Sequence, residues 1–122
     1  MSKKILKFDE ISKHFQKYRG RKKLVLCHGV FDLLHIGHIK HFEDAKKQGD
    51  ILIVSITPDK HVNKGPNKPY FNEKLRLDAV AALKCVDHVV INKSSTSVEI
   101  INKLKPNIYC KGKDYKDKKD DL

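Results

Sequence analysis

A chain of 122 residues with 39% hydrophobic content has room for one domain with a modest core. No run approaches the roughly 20 apolar residues of a membrane span, and the Lys-rich start lacks the apolar stretch of a signal peptide, so the expectation is a soluble, cytoplasmic protein with no membrane partner. The net charge of +11 rests almost wholly on lysine, with Arg19, Arg21 and Arg76 the only arginines and no tryptophan; this favours anionic partners but not a specific nucleic acid, whose readout leans on arginine and stacked aromatics.

In chain order, Ile5, Phe8, Ile11 and Phe15 recur at helical spacing, with Asp9 as a candidate N-cap. Residues 1–20 therefore read as a helical lead-in, ahead of a domain over 21–122. Lys23–Cys27 and Ile51–Ile56 are short apolar runs of buried-strand type, and Ile36–Gln48 between them has helical patterning that ends at Gly49. Strand, helix and strand in that order suit a crossover between parallel strands. Residues 57–72, with Pro58, Gly65, Pro66 and Pro69, read as an irregular connection. Asn72 is placed to cap a helix over Glu73–Lys84. Val86–Ile91 reads as a third strand, Val98–Leu104 as a helix capped from the Ser94–Ser97 cluster, and Asn107–Cys110 as a fourth strand before the charged segment Lys111–Leu122. The pattern predicts a Rossmann-like α/β fold, an open and mostly parallel sheet flanked by helices. Cys27, Cys85 and Cys110 are odd in number and each sits in an apolar run, which fits structural thiols in a reducing compartment.

Ligands of such sheets bind beyond the carboxyl ends of the strands. The segment that follows the first strand, His28-Gly29-Val30-Phe31-Asp32-Leu33-Leu34-His35-Ile36-Gly37-His38, carries the most chemistry. Gly29 stands just past the strand, where a missing side chain lets a ligand reach the backbone. His35 and His38 are three residues apart, so both imidazoles project to one side of a helical first turn, and Gly37 between them leaves room for a phosphate chain. The helix N-terminus adds unpaired N–H groups and a partial positive charge. Zinc ligation is the competing use of two such histidines, but a catalytic site needs a third protein ligand and none stands suggestively nearby. His41 reads as solvated, and His14, His61 and His88 as uninformative.

The stretch G-V-F-D-L-L-H-I-G-H-I-K-H-F-E-D-A-K-K-Q-G-D resembles the signature of the cytidylyltransferase-like nucleotidyltransferases, nearest in pattern to glycerol-3-phosphate cytidylyltransferase and to the adenylyltransferase domain that makes ADP-heptose. The likeness continues from Asp59 to Arg76, through V-D-H-V-V-I, and into L-K-P-N-I-Y-C-K-G-K-D-Y. The resemblance implies that His35 and His38 contact the nucleotide phosphates and stabilise the transition state. It implies that Gly29, Val30, Phe31, Asp32 and Gly37 line the nucleotide, together with Lys111, Gly112 and Asp114. It gives Lys64 and Arg76 to the triphosphate or the acceptor phosphate, and Asp59 to the acceptor. The partners implied are a nucleoside triphosphate (ATP or CTP) and a phosphorylated sugar or polyol. No metal is assigned to protein ligands; Mg²⁺ would be held mainly by the substrate phosphates. The resemblance also allows a homodimer.

Relatives of this kind carry a further strand and a G-x-S-T-T-type motif opening a last helix, which the sequence to Leu122 does not show. The expectation is therefore a domain lacking its last strand and helix, with Ser94–Ser97 a helix cap and not that phosphate loop. Two other readings stand beside this one. A class I aminoacyl-tRNA synthetase shares H-I-G-H but needs a K-M-S-K-S-like loop, for which Asn92–Ser97 offers little. An inert nucleotide-binding module could be built on the same fold.

Overall fold

The computed structural model describes residues 4–62, 69 and 71–111. Among these residues, five strands form one sheet: β1 (Ile5–Leu6), β2 (Leu24–Gly29), β3 (Ile51–Ile56), β4 (His88–Ile91) and β5 (Ile108–Lys111), in the order β1-β4-β3-β2-β5. Every pairing in it is parallel. Four helices flank it: α1 (Ile11–Phe15), α2 (Ile36–Lys46), α3 (Glu73–Ala81) and α4 (Val98–Leu104). The open parallel α/β sheet expected from the sequence is the fold of the protein.

Strand alternation divides the core in two. Val25 and Cys27 of β2 face Phe42 and Ala45 of α2 and Leu77 and Val80 of α3. Leu24 and Leu26 face the other way, onto Ile11 and Phe15 of α1 and Ile100 and Leu104 of α4. Both faces of the sheet are thus covered, which is why its strands read as near-continuous apolar runs.

Some boundaries differ from the sequence reading. The helical spacing of Ile5 is coincidental: Ile5–Leu6 is a strand paired with Val89–Val90, and Leu6 is buried while Ile5 is exposed. Asp9 does not cap α1. It lies in a 3-10 turn and binds Lys93, while the Glu10 carboxylate accepts the Lys7 N–H at 2.8 Å. Asn72 does cap α3, accepting the Leu75 N–H at 2.9 Å. Ser97 precedes α4 without a side-chain cap bond, and the Ser94–Ser97 turn is instead held by Asn92, whose amide donates to the carbonyls of Ser94 and Thr96. Strand β2 runs on through His28 and Gly29.

This order places β2 at the switch point. From β2 the chain moves outward to β3 and β4, and α4 then brings it back to β5 on the opposite side of β2. The carboxyl ends of β2 and β5 meet at the His28–Lys111 pair, beside the segment that leads into α2. A crevice in this position is where open α/β sheets take their ligands.

Candidate active site

Helix α2 is capped by its own histidines. His35 is extended (φ −138°, ψ 178°), and its Nδ1 accepts the Gly37 N–H at 3.0 Å. One turn on, the Nδ1 of His38 faces back and accepts the His35 N–H at 3.3 Å. The ring centroids are 4.1 Å apart. An Nδ1 that accepts carries no proton, so this geometry assigns both neutral rings the tautomer with hydrogen on Nε2. Each ring in that tautomer carries its N–H on the edge turned away from the backbone it caps. They stand at the positive end of an 11-residue helix.

The two glycines of the motif make room for protein groups. A Cβ at position 37 would lie 2.7 Å from His35 Cε1, so the space expected to admit a phosphate chain is what lets His35 fold over its own helix. A Cβ at position 29 would lie 2.8 Å from Phe31 Cζ. Gly29, expected to admit a ligand, is thus covered by the Phe31 ring. Phe31 adopts the left-handed φ of 53°, rare for a bulky residue, and is buried. Its ring meets His38 at 5.7 Å and Phe42 at 5.0 Å, both edge to face, and so links the core of α2 to the catalytic candidate.

Arg76 lies elsewhere than its expected phosphate-contacting position. Its side chain is fully buried and ion-paired with Asp59. It donates to Val30 O, Thr57 O and Phe71 O, each an acceptor supplied by the protein itself. Asp59, expected to face the acceptor, instead spends one carboxylate oxygen on Arg76 and donates its N–H to Glu73. The Asp32 carboxylate accepts the Phe71 N–H at 2.8 Å, joining the turn after β2 to the start of α3. Val30 meets Arg76 through its carbonyl. Lys111 ends β5 opposite His28. Lys64, Gly112 and Asp114 lie outside the described residues.

His28 was passed over by sequence reasoning. At the carboxyl end of β2, its Nδ1 sits 2.6 Å from Ser55 Oγ, on the strand beside it. Burial pushes the imidazole below its ordinary pKa, partly offset by a hydrogen bond to the Ser95 backbone. The single polar residue in the run I-L-I-V-S-I was the available signal. Burial raises the Cys27 thiol to about 12 and pushes the half-buried Cys85 and Cys110 up as well. All three are free.

A five-stranded parallel sheet with a histidine-capped helix at its switch point defines an open α/β domain. The chain belongs to the Cytidylyltransferase-like family, which residues 26–121 match. It is 48% identical over 99 residues to the bifunctional protein HldE of Campylobacter jejuni subsp. doylei, covering 80% of this chain and 22% of that protein. The HldE of Aliarcobacter butzleri is 40% identical over 114 residues, covering 91% of this chain and 24% of the relative. The chain thus spans about a quarter or less of the curated relatives it matches. Among solved structures, the lipopolysaccharide core biosynthesis protein of Thermoplasma volcanium superposes with a TM-score of 0.66 at 33% identity, covering 72% of each chain. Among the described residues, no helix is long and apolar enough to cross a membrane.

Proposed function

We propose that this domain transfers a nucleoside monophosphate from a nucleoside triphosphate to a phosphorylated sugar or polyol, releasing pyrophosphate. The observation that supports the reading is the reciprocal cap of His35 and His38, which turns both Nδ1 atoms onto the backbone of a helix N-terminus beside the switch point of the sheet. An oxygen of the acceptor phosphate attacks the α-phosphorus; the new P–O bond forms in line as the bond to the pyrophosphate oxygen breaks. An ionised phosphate has no proton to lose, so no general base is needed. The histidines' task is to hold the triphosphate and to donate to the charge that builds on its oxygens. The nucleotide enters as its Mg²⁺ complex, with the ion held mainly by phosphate oxygens and water, its preferred ligands.

Family membership favours this reading over an aminoacyl-tRNA synthetase. The likeness to HldE and to a lipopolysaccharide core biosynthesis protein supports a sugar phosphate as acceptor and, with the run from Lys64 to Arg76, ATP over CTP. A pyrophosphate-release screen of ATP and CTP against sugar 1-phosphates and polyol phosphates tests it. Release that requires one acceptor is expected. Nucleotide binding without release under every pairing would replace it with the inert binding module.

A further inference from the structure

Arg76 is the largest fully buried side chain among the described residues, and a buried guanidinium is costly unless its donors are matched. Here they are matched by three separate pieces of chain. Nη1 donates to Val30 O at 2.9 Å, after β2, and to Thr57 O at 2.7 Å, after β3. Nη2 reaches Asp59 Oδ1 at 2.6 Å, and Nε donates to Phe71 O at 3.0 Å, just before α3. A phosphate contact would need the guanidinium at a surface, and it has none.

We propose that Arg76 is a positioning residue which acts on the nucleotide through the Val30–Phe31 peptide and never touches it. In a planar trans peptide the C=O and N–H point in opposite directions. With the Val30 carbonyl turned inward onto Arg76, the Phe31 N–H is turned outward, away from the buried side of the turn. The same bond steadies a residue held at φ 53°, a conformation that costs on the order of 1–3 kcal/mol and persists only where its surroundings enforce it. The Asp32–Phe71 bond closes the frame, because Phe71 is held from its carbonyl by Arg76 and from its N–H by Asp32. Arg76 thereby orients the one stretch of backbone that lies between β2 and the histidine cap. Its kinetic consequence rests on the nucleotidyltransferase reading; its structural consequence does not.

Two measurements on Arg76→Lys separate the possibilities. Lysine keeps the charge but cannot reach four divergent acceptors at once. Amide hydrogen exchange, which needs no turnover, should accelerate at least about tenfold at Phe71 and Thr57, whose N–H groups donate to Asp32 and Gly29 on either side of the Val30–Phe31 turn, while the amides inside β3 stay protected. In the turnover assay kcat should fall about tenfold or more, while KM for the nucleoside triphosphate changes less than about threefold and keeps its salt dependence. The proposal is overturned if KM rises about tenfold with kcat preserved and the salt dependence flattens, because that is the pattern of a lost direct phosphate contact. Should Arg76→Lys fail to fold, Asp59→Asn keeps an acceptor oxygen but weakens the Nη2 anchor, and unchanged exchange at both Phe71 and Thr57 in that variant also overturns it. A chain that releases no pyrophosphate, yet whose Arg76→Lys variant shows faster exchange at Phe71 and Thr57, would remove the function proposed above and leave the positioning role standing.

Discussion

His35 and His38 hold one another in place: the Nδ1 of His38 accepts the backbone N–H of His35, while the Nδ1 of His35 accepts that of Gly37 two residues on. Neither imidazole can take a proton on Nδ1 without giving up its cap bond. Structure and proposed chemistry therefore call for the same tautomer, and substitutions can pull the two roles apart.

His38→Ala removes one Nε2–H donor, and turnover should fall by about two orders of magnitude, the scale for losing a single transition-state donor. His35→Ala should do the same and also cost about 1 kcal/mol of stability through the lost N-cap. His35→Asn restores a good capping oxygen without restoring the imidazole. Its thermal midpoint should return close to that of the unmodified protein while turnover stays low. Recovery of both together would show that His35 is only a cap.

Gly37→Ala sets two effects against each other. Alanine in a helix is ordinarily more stable than glycine by roughly 0.5–1 kcal/mol. The added Cβ, however, would stand 2.7 Å from His35 Cε1 and 3.0 Å from its Nδ1, so the ring must swing off the helix. The expected result is no gain in melting temperature and at least a tenfold fall in turnover, about half the logarithmic effect of losing a donor outright. A stabilised and fully active Gly37→Ala protein would mean that the crowded histidine position is not the working one.

Long apolar runs made β3 legible to the residue, and the i, i+3 spacing of His35 and His38 correctly placed them on one side of a first turn. Strand β1 was hidden because two residues carry no period, and its side chains had already been counted into a helix. The last two residues of β2 were hidden because histidine and glycine look like loop, although their backbones stay paired with Ser55 and Ile56. Arg76 misled for a different reason. Arginine is almost never fully buried unless its donors are matched, and the acceptors that match it lie 17, 19 and 46 positions away in the sequence. No local pattern announces a partnership of that reach. The left-handed Phe31 was equally silent, since the ring packing that sustains it joins residues from the loop and from α2.

The cysteines give a prediction free of any assumption about function. Cys27 is buried, with a pKa raised to about 12, so at pH 8 only about one molecule in ten thousand carries its thiolate. Titration of the native protein with an aromatic disulfide reagent should label no more than Cys85 and Cys110, and those slowly because both are also shifted upward. The third thiol should react only after denaturant is added. Rapid labelling of all three in the native state would contradict the burial of β2.

His28 ties stability to pH in a direction that can be worked out. Desolvation lowers its pKa in the folded protein below the ordinary 6.5, and the hydrogen bond to the Ser95 backbone only partly opposes that. The unfolded chain therefore binds the proton more readily than the native one. The contribution of neutral His28 is fully present above about pH 6.5, declines as pH falls below that value, and is gone once pH passes below the lower folded-state pKa. His28→Asn keeps a polar group near Ser55 but cannot titrate. Thermal midpoints measured from pH 7.5 down to about pH 5 should fall less steeply for this variant than for the unmodified protein. Parallel curves would show that the buried imidazole contributes nothing to the acid sensitivity of the fold.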